Sequence, residues 1–166
     1  MLWRPGGLRG RERLPWILLA AGVVLLLRFP CGWVTNLLNE EAYYWMFAKH
    51  PALSYYDHPP MVAWCIRAGT LAAGDTELGV RLVGLVLGAA SLGLVYLLGR
   101  EWFGRRVGAW SAALFALLPG FHFAGVMATP DGPLLFFWLV VLVSVTLAVR
   151  RGRGGWNRWR TRWRAG

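Results

Sequence analysis

The sequence predicts an all-α membrane protein with about four transmembrane helices and two short interfacial helices in its first outer loop. Hydrophobic residues make up 57% of the 166-residue chain, and 11 residues are Trp, a composition that ordinary soluble domains do not have. Four apolar stretches approach or reach the roughly 17–25 residues that a helix needs to cross a bilayer. No stretch shows the alternating pattern of a strand, so no sheet is expected.

The four apolar stretches follow one another along most of the chain. The first runs from about residue 14 to 29, and no Ala-x-Ala-like cleavage site follows it. We therefore interpret it as a retained span and not as a signal peptide. The second covers about 78–99, the third about 107–127 and the fourth about 132–149.

The distribution of arginine predicts the orientation of these spans. Most of the 18 Lys and Arg residues lie in segments 4–13, 100–106 and 150–164, which share one side if four helices alternate in direction. Excess Arg in short loops is typical of the cytoplasmic face, so both termini are predicted inside and loop 34–77 outside. The net charge of +10 is explained by this orientation, and we expect no nucleic-acid partner.

The chain divides into three regions on this interpretation. Residues 1–13 form a basic cytoplasmic N-terminus, 14–150 a membrane module and 151–166 a basic cytoplasmic tail. The tail interleaves Arg with Trp, a pattern that could bind anionic lipid or nucleic acid. Because it lacks apolar periodicity, we predict a solvated, disordered end, with a truncated or out-of-frame end as the alternative.

The outer loop contains two short helices. Asn39 is a suitable N-cap for the first, which carries Glu40 and Glu41 in its first turn. The second is expected to start at Pro59-Pro60 and to end at Gly74. Because both are amphipathic and lie between spans, we expect them to lie flat at the membrane interface.

Charged side chains gather in this outer loop. Flat interfacial helices would hold Glu40, Glu41, Asp57 and His58 at the depth of lipid headgroups, where charge is costly and usually functional. Arg81, at the outer end of the second span, could contact a phosphate.

Asp131 is a further outer carboxylate, in the turn between the third and fourth spans. Asp is an excellent N-cap, and Pro133 suits the first turn of the following helix. A capping role and a functional role can coexist at one helix start, so both interpretations stay open.

Four motifs resemble a known family. They are Glu-Glu-Ala-Tyr-Tyr-Trp at 40–45, Tyr-Tyr-Asp-His-Pro-Pro at 55–60, Gly-Val-Arg-Leu at 79–82 and Thr-Pro-Asp at 129–131. Their order and spacing resemble the N-terminal part of the family-39-like, C-type membrane glycosyltransferases, which include protein O-mannosyltransferases and bacterial aminoarabinose transferases. The resemblance covers about residues 14–150. It implies a partial C-type glycosyltransferase module of a longer enzyme, in the bacterial inner membrane, that takes a sugar from a polyprenyl-phosphate carrier on the outer face.

The resemblance also assigns roles to individual residues. The family's acidic pair falls on Glu40 and Glu41, although the family usually has Asp at the first position. Asp131 matches the second acidic site. His58 stands where aminoarabinose transferases carry a Lys that meets the lipid phosphate, so phosphate binding here would depend on protonation.

The expected chemistry is inverting transfer from an activated donor. Glu40 would take the proton of the acceptor, with Asp131 orienting the acceptor or the base. His58 and Arg81 would face the departing phosphate, with Asp57 holding His58 and Glu41 also binding substrate. The acceptor could be a lipid, a glycan or a protein.

Two alternatives stay open. One is a non-catalytic membrane protein, such as a lipid-carrier flippase component or an assembly subunit, which would not need carboxylates at headgroup depth. The other concerns cofactors: none is required by the residues, but Asp57, His58 and Asp131 form an oxygen and nitrogen set that could hold a divalent metal ion.

Overall fold

A computed structural model describes residues 19, 22, 23, 26, 30 and 34–164 of the protein, and for 122–125 and 151–164 the backbone alone. The basic N-terminus and most of the first predicted span lie outside the described residues. Segment 34–164 contains helices and connecting turns and no strand, which confirms the all-α prediction. Its helices are α1 (Asn39–Lys49), α2 (Met61–Ala73), α3 (Glu77–Phe103), α4 (Arg105–Leu117), α5 (Pro119–Val126) and α6 (Asp131–Arg164).

Helices α3 and α6 are long and apolar enough to cross a membrane. The qualifying segments are Glu77–Phe103, with a mean hydropathy of 2.2, and Asp131–Arg150, with 2.4. They correspond to the second and fourth predicted spans. Thr76 is the N-cap of α3, and its Oγ1 accepts a hydrogen bond from the Gly79 amide at 3.0 Å. This side chain therefore satisfies one of the free N–H groups of the first turn.

The third predicted span is divided into two helices. Helix α4 ends at Leu117, and Leu118 is extended at φ −67°, ψ 126°. Leu118 precedes Pro119, and the proline ring disfavours helical geometry in the residue before it. This Pro-Gly pair therefore breaks the predicted span, and α4 and α5, of 13 and 8 residues, are each shorter than a full span.

Glycine allows α3 and α4 to pack closely as a hairpin. A Cβ on Gly108 would lie 2.6 Å from the Tyr96 carbonyl oxygen, and one on Gly99 would lie 2.9 Å from the Gly108 Cα. Gly104, at φ 92°, ends α3 and connects it directly to α4, a left-handed conformation that suits glycine. Small residues let membrane helices approach in this way.

The interfacial helices fold onto the end of the spans at which α3 begins. Tyr44 and Ala48 of α1 form a buried cluster with α2 residues Val62 and Ile66, and the same cluster includes Val80 and Ala128. Helix α1 begins one residue earlier than expected, because Leu38 and not Asn39 is the N-cap. Loop 34–77 is therefore an ordered cover on one end of α3 and α6.

The Arg-rich segment 100–106 and Arg150 lie at the other end of the spans. Arg150 Nη1 is 3.6 Å from Glu101 Oε2, and Trp102 Nε1 donates to Thr146 Oγ1 at 3.2 Å. These contacts bring the ends of α3 and of the apolar part of α6 together. The separation of acidic and basic ends along the spans agrees with the charge distribution from which the orientation was predicted.

The C-terminal tail differs from the expectation of disorder. The backbone of α6 continues as helix to Arg164. Each residue added to an existing helix costs little and gains a backbone hydrogen bond, and Arg has a high helix propensity, so an apolar stripe is not required for this extension. The region boundaries at residues 13 and 150 stay predictions.

Candidate functional site

Three predicted carboxylates lie around Tyr44. The Tyr44 side chain is buried, and Glu40 precedes it by one helical turn on α1. Burial raises the pKa of Tyr44, and the negative charges of Glu40, Asp131 and Asp57 raise it further, in that order. Because such effects weaken with distance, the structure brings these three carboxylates, from α1, the following loop and α6, to one site.

Asp57 is held by a tyrosine that the sequence analysis did not assign to the site. The hydroxyl of Tyr43 donates to Asp57 Oδ2 at 2.6 Å. This hydrogen bond, followed by burial and the charge of Asp57, raises the pKa of Tyr43. The bond holds the Asp57 carboxylate against the exposed face of α1 that carries Tyr43.

His58 is oriented mainly by aromatic rings. Its Nε2 is 3.9 Å from Asp57 Oδ2, which is too long for a hydrogen bond, although protonated His58 would be attracted across this distance. The His58 ring meets Tyr44 edge-on, with 5.1 Å between centroids, and Tyr43 at 5.9 Å. Asp57 therefore lies within ion-pair distance of His58 without a hydrogen bond to it, and the edge-on contacts with Tyr44 and Tyr43 also orient the ring. That Asp57 holds His58 stays a prediction.

Glu41 and Arg81 form a fully buried ion pair. Both side chains are 0% exposed. Arg81 Nε donates to Glu41 Oε1 at 2.8 Å and Nη2 donates to Oε2 at 2.5 Å, the two-point geometry in which guanidinium and carboxylate groups interact most strongly. Burial would raise the pKa of Glu41, but the hydrogen bonds from Arg81 and from two backbone amides, with the charge of Arg81, outweigh it and lower the pKa.

Further contacts connect this pair to two other segments of the chain. Arg81 Nη1 donates to the carbonyl oxygen and the hydroxyl of Thr35, both at 2.8 Å, and Nη2 donates to the Asn36 carbonyl at 3.0 Å. The Ala128 amide donates to Glu41 Oε1 at 3.0 Å. These contacts do not support the expected binding of substrate by Glu41 or of a donor phosphate by Arg81, because protein groups surround both side chains.

Thr129, next to Ala128, has a buried hydroxyl without a hydrogen-bond partner in the described part of the chain. Its side chain is 8% exposed and adjoins a small pocket that is also lined by Gly132 and Pro133. An unpaired buried hydroxyl is uncommon in folded proteins. In the turn before Asp131, the Ala128 amide is therefore hydrogen-bonded to Glu41, whereas the hydroxyl of the neighbouring Thr129 has no hydrogen-bond partner among the described residues.

An apolar groove of about 610 Å³ opens beside Asp131. It lies at the break between α4 and α5 and along the first turns of α6, where Phe121, Leu135 and Trp138 line it. A second apolar pocket, of about 270 Å³, lies between the start of α2 and α6 and shares Leu134 with the groove. One carboxylate of the site is thus next to a surface suited to a hydrocarbon chain.

The metal alternative gains no support from the described residues. Among them, no three His, Cys, Asp or Glu side chains lie close enough to hold a metal ion. Asp57, His58 and Asp131 therefore do not form a preassembled ligand set in this conformation.

Sequence analysis missed the roles of Tyr43 and Tyr44. Both occur in the first motif, and they follow Glu40 by three and four residues, so they lie on the same face of a helix as that carboxylate. This spacing was a usable signal. The amphipathic helix predicted here is compatible with the burial of Tyr44, but that prediction did not identify its carboxylate neighbours.

The described part of the chain combines long apolar helices with a carboxylate cluster at one end, beside an apolar groove, an arrangement compatible with a module of a membrane glycosyltransferase. Residues 57–161 match the family described as dolichyl-phosphate-mannose-protein mannosyltransferase. The chain belongs to this family, which confirms the resemblance noted from its motifs.

One curated relative supports the same assignment. The chain is 31% identical over 122 residues to the lipid A galacturonosyltransferase RgtD of Rhizobium johnstonii (strain DSM 114642 / LMG 32736 / 3841). The alignment covers 73% of this chain and 25% of RgtD. The aligned part of the chain therefore spans about a quarter of the length of this relative. No solved structure matches the chain.

Proposed function

We propose that the complete protein transfers a sugar from a polyprenyl-phosphate donor to an acceptor at the outer face of a bacterial inner membrane. The observation that carries this proposal is the convergence of Glu40, Asp57 and Asp131 around Tyr44, at the end of the spans that bears the acidic loop. Family membership supplies the reaction class.

Glu40 is the proposed general base. Its side chain is exposed on the first turn of α1, so an acceptor hydroxyl can reach it. The acceptor oxygen attacks the anomeric carbon, and the bond from that carbon to the phosphate oxygen breaks. The proton of the acceptor passes to Glu40, and the polyprenyl phosphate leaves with the bonding electrons. A phosphate leaving group needs no protonation by an acid, unlike the leaving group of many glycoside hydrolases.

The apolar groove next to Asp131 suits the polyprenyl chain of the donor. A chain in the groove at the break between α4 and α5 would present its phosphate toward the site, where His58 is the proposed cationic contact. In its protonated form, His58 would supply the positive charge of this contact. Asp131, at the edge of the groove, would then orient the acceptor or the base.

The acceptor that we propose first is a lipid. The name of the relative RgtD identifies lipid A as its acceptor and a galacturonosyl group as the sugar, whereas the family description names mannose and protein. A single aligned protein is more specific evidence than the description of a whole family, so we favour the lipid as acceptor. Glycan and protein acceptors are the other outcomes of an acceptor screen.

Glu40→Gln tests the proposal directly. The substitution keeps the shape of the side chain and removes its basicity, so transfer of radiolabelled sugar from a polyprenyl-phosphate donor should fall by roughly a hundred- to ten-thousand-fold. The protein is assayed at full length in membranes, and donor binding should be unchanged. Glu77→Gln is the matched control, because Glu77 lies at the same end of the spans in the first turn of α3 and should tolerate the change.

Wild-type transfer by Glu40→Gln would refute the assignment of the base. If donor binding is present but no transfer occurs with any acceptor in the wild-type protein, the result would favour the non-catalytic alternative, a lipid-carrier flippase component or assembly subunit.

A further inference from the structure

We propose that Glu41 and Arg81 are positioning residues, which lock the turn before α6 against α1 so that Asp131 and Glu40 face one site. The inference rests on the proposed function for the identity of the reacting groups. It assigns to this pair a role that differs from the substrate contacts predicted from the sequence.

The two oxygens of the Glu41 carboxylate hold different parts of the protein. Oε1 accepts from the Ala128 amide at 3.0 Å, three residues before Asp131. Oε2 accepts from the Leu38 amide at 3.0 Å, at the N-cap of α1. Arg81 donates to both oxygens. One side chain therefore connects the start of α1, the second turn of α3 and the turn that precedes α6.

The position of Glu41 in the chain makes this connection relevant to the site. Glu41 directly follows Glu40, so any shift of α1 that moves one moves the other. The residues that the carboxylate connects are far apart in sequence, with 87 positions between Glu41 and Ala128 and 40 between Glu41 and Arg81. Local helix geometry cannot hold Glu40 and Asp131 in register over such a separation, whereas this buried cluster can.

The pair is unsuited to bind a ligand directly. A carboxylate has about four acceptor positions on its two oxygens, and here each oxygen already accepts from Arg81 and from a backbone amide. The Arg81 side chain is likewise surrounded by Thr35 and Asn36. A phosphate or a hydroxyl could reach either group only if these bonds were broken.

The pKa and the burial of Glu41 also suit a structural role. The pKa of Glu41 is lowered from its ordinary value, for the reasons given above, so the carboxylate stays ionised through the neutral range. It has no direct path to solvent at 0% exposure. Proton transfer is therefore left to the exposed Glu40, and Glu41 contributes through geometry.

The test is Glu41→Gln in the full-length protein, with kinetics of sugar transfer. A misplacement of about 1 Å at a reacting centre can lower the rate by about a hundredfold, so we expect kcat to fall by that order while KM for the donor stays within about threefold. Asp75→Asn is the matched control. Asp75 pairs with Lys49 of α1 at an exposed position, and we expect this variant to retain wild-type kcat and KM.

A second variant covers the case in which Glu41→Gln does not fold. In Glu41→Met with Arg81→Met, both buried charges are removed together, which folded proteins often tolerate. The hydrogen bond to Ala128 is also lost. We expect this double variant to accumulate as a monodisperse protein with a kcat about a hundredfold lower. Hydrogen exchange at the Ala128 amide should be faster than in the wild type, and the Asp75→Asn control should show no such change.

The outcomes separate this inference from the proposed function. A KM for the donor that rises at least tenfold with unchanged kcat would mean that the pair binds substrate, and wild-type kcat in the folded double variant would exclude the positioning role. Unchanged exchange at Ala128 would exclude it as well. Glu40→Gln is assayed in parallel. If Glu40→Gln transfers sugar at the wild-type rate, the proposed function fails. If Glu40→Gln is inactive while the folded Glu41 variants are fully active, only the positioning role is overturned.

Discussion

Arg81→Met should destabilise the protein strongly because it leaves a buried carboxylate without its cation. Both side chains of the pair are 0% exposed, and breaking a buried pair on one side typically costs about 3–5 kcal/mol. Adding Glu41→Gln should recover much of this loss, because the remaining buried charge is removed. The corresponding change at the surface, Lys49→Met, breaks an ion pair with side chains 32% and 52% exposed and should cost less than about 1 kcal/mol.

The effect of Arg81→Met should depend on pH with a defined sign. In the wild type the pKa of Glu41 is lowered, so the pair contributes stability above the ordinary pKa of 4.5 that is lost as the pH falls through the folded-state pKa. Without Arg81, its hydrogen bonds and charge no longer offset the effect of burial, so the pKa of Glu41 should be higher in the variant than in the wild type. As the pH falls, the carboxylate of the variant is then protonated first, and the variant loses less stability than the wild type does. The deficit relative to wild type should therefore be largest near pH 7 and shrink toward pH 4.

Equilibrium unfolding in mixed detergent, followed by helical circular dichroism, measures both effects. The single variants, the double variant and Lys49→Met are compared at pH 4 and pH 7. If the free energy of unfolding of Arg81→Met lies within about 1 kcal/mol of wild type at pH 7, the pair does not carry the burial cost assumed here. A deficit that grows toward pH 4 would contradict the assigned direction of the pKa of Glu41.

Three further changes test other features. Gly108→Ala should cost about 1–3 kcal/mol of stability, because its Cβ would lie 2.6 Å from a backbone oxygen. Gly93→Ala is the control: its Cβ would have nothing within 4 Å, so this variant should be as stable as the wild type or more stable. Thermal unfolding in detergent compares the two variants. Thr129→Val should keep or raise the unfolding temperature, because it removes an unpaired buried hydroxyl, and a clear loss of stability would show that the hydroxyl has a partner such as water. Tyr43→Phe removes the hydrogen bond to Asp57 and should lower sugar transfer roughly tenfold at unchanged expression; normal transfer would exclude Asp57 orientation as a requirement.

The sequence predicted the elements of the fold better than their contacts. The lengths of the apolar runs identified α3 and α6. The acidic residues in the first turn of α1 and the prolines before α2 located these two helices to within about two residues, because such signals are local. The third apolar run was predicted as one span, and the break at Leu118 was not predicted. Sequence shows that a proline disturbs a helix but does not show how far the two halves separate.

The positions of the candidate site residues were predicted more readily than their contacts. The charge pattern predicted that Glu40, Asp57 and Asp131 share one end of the molecule, as they do in the structure, and their catalytic and binding roles stay predictions. The partner of Arg81 was not predictable in the same way, because a cation at the end of a span could equally face a ligand or a carboxylate 40 residues away. Pairing over that separation is decided by tertiary packing.

The adjacency of Glu40 and Glu41 has one more consequence. Successive residues on a helix point about 100° apart, so two neighbouring carboxylates on α1 cannot approach one substrate atom or chelate one ion together. One points outward and the other inward, and neither can substitute for the other after mutation. Insertion of a single residue between Glu40 and Glu41, if Glu41 kept its place, would leave the contacts of Glu41 with Arg81 and Ala128 unchanged and rotate Glu40 by about 100° to another side of α1. The family's acidic doublet therefore specifies the direction in which this helix faces as well as its charge.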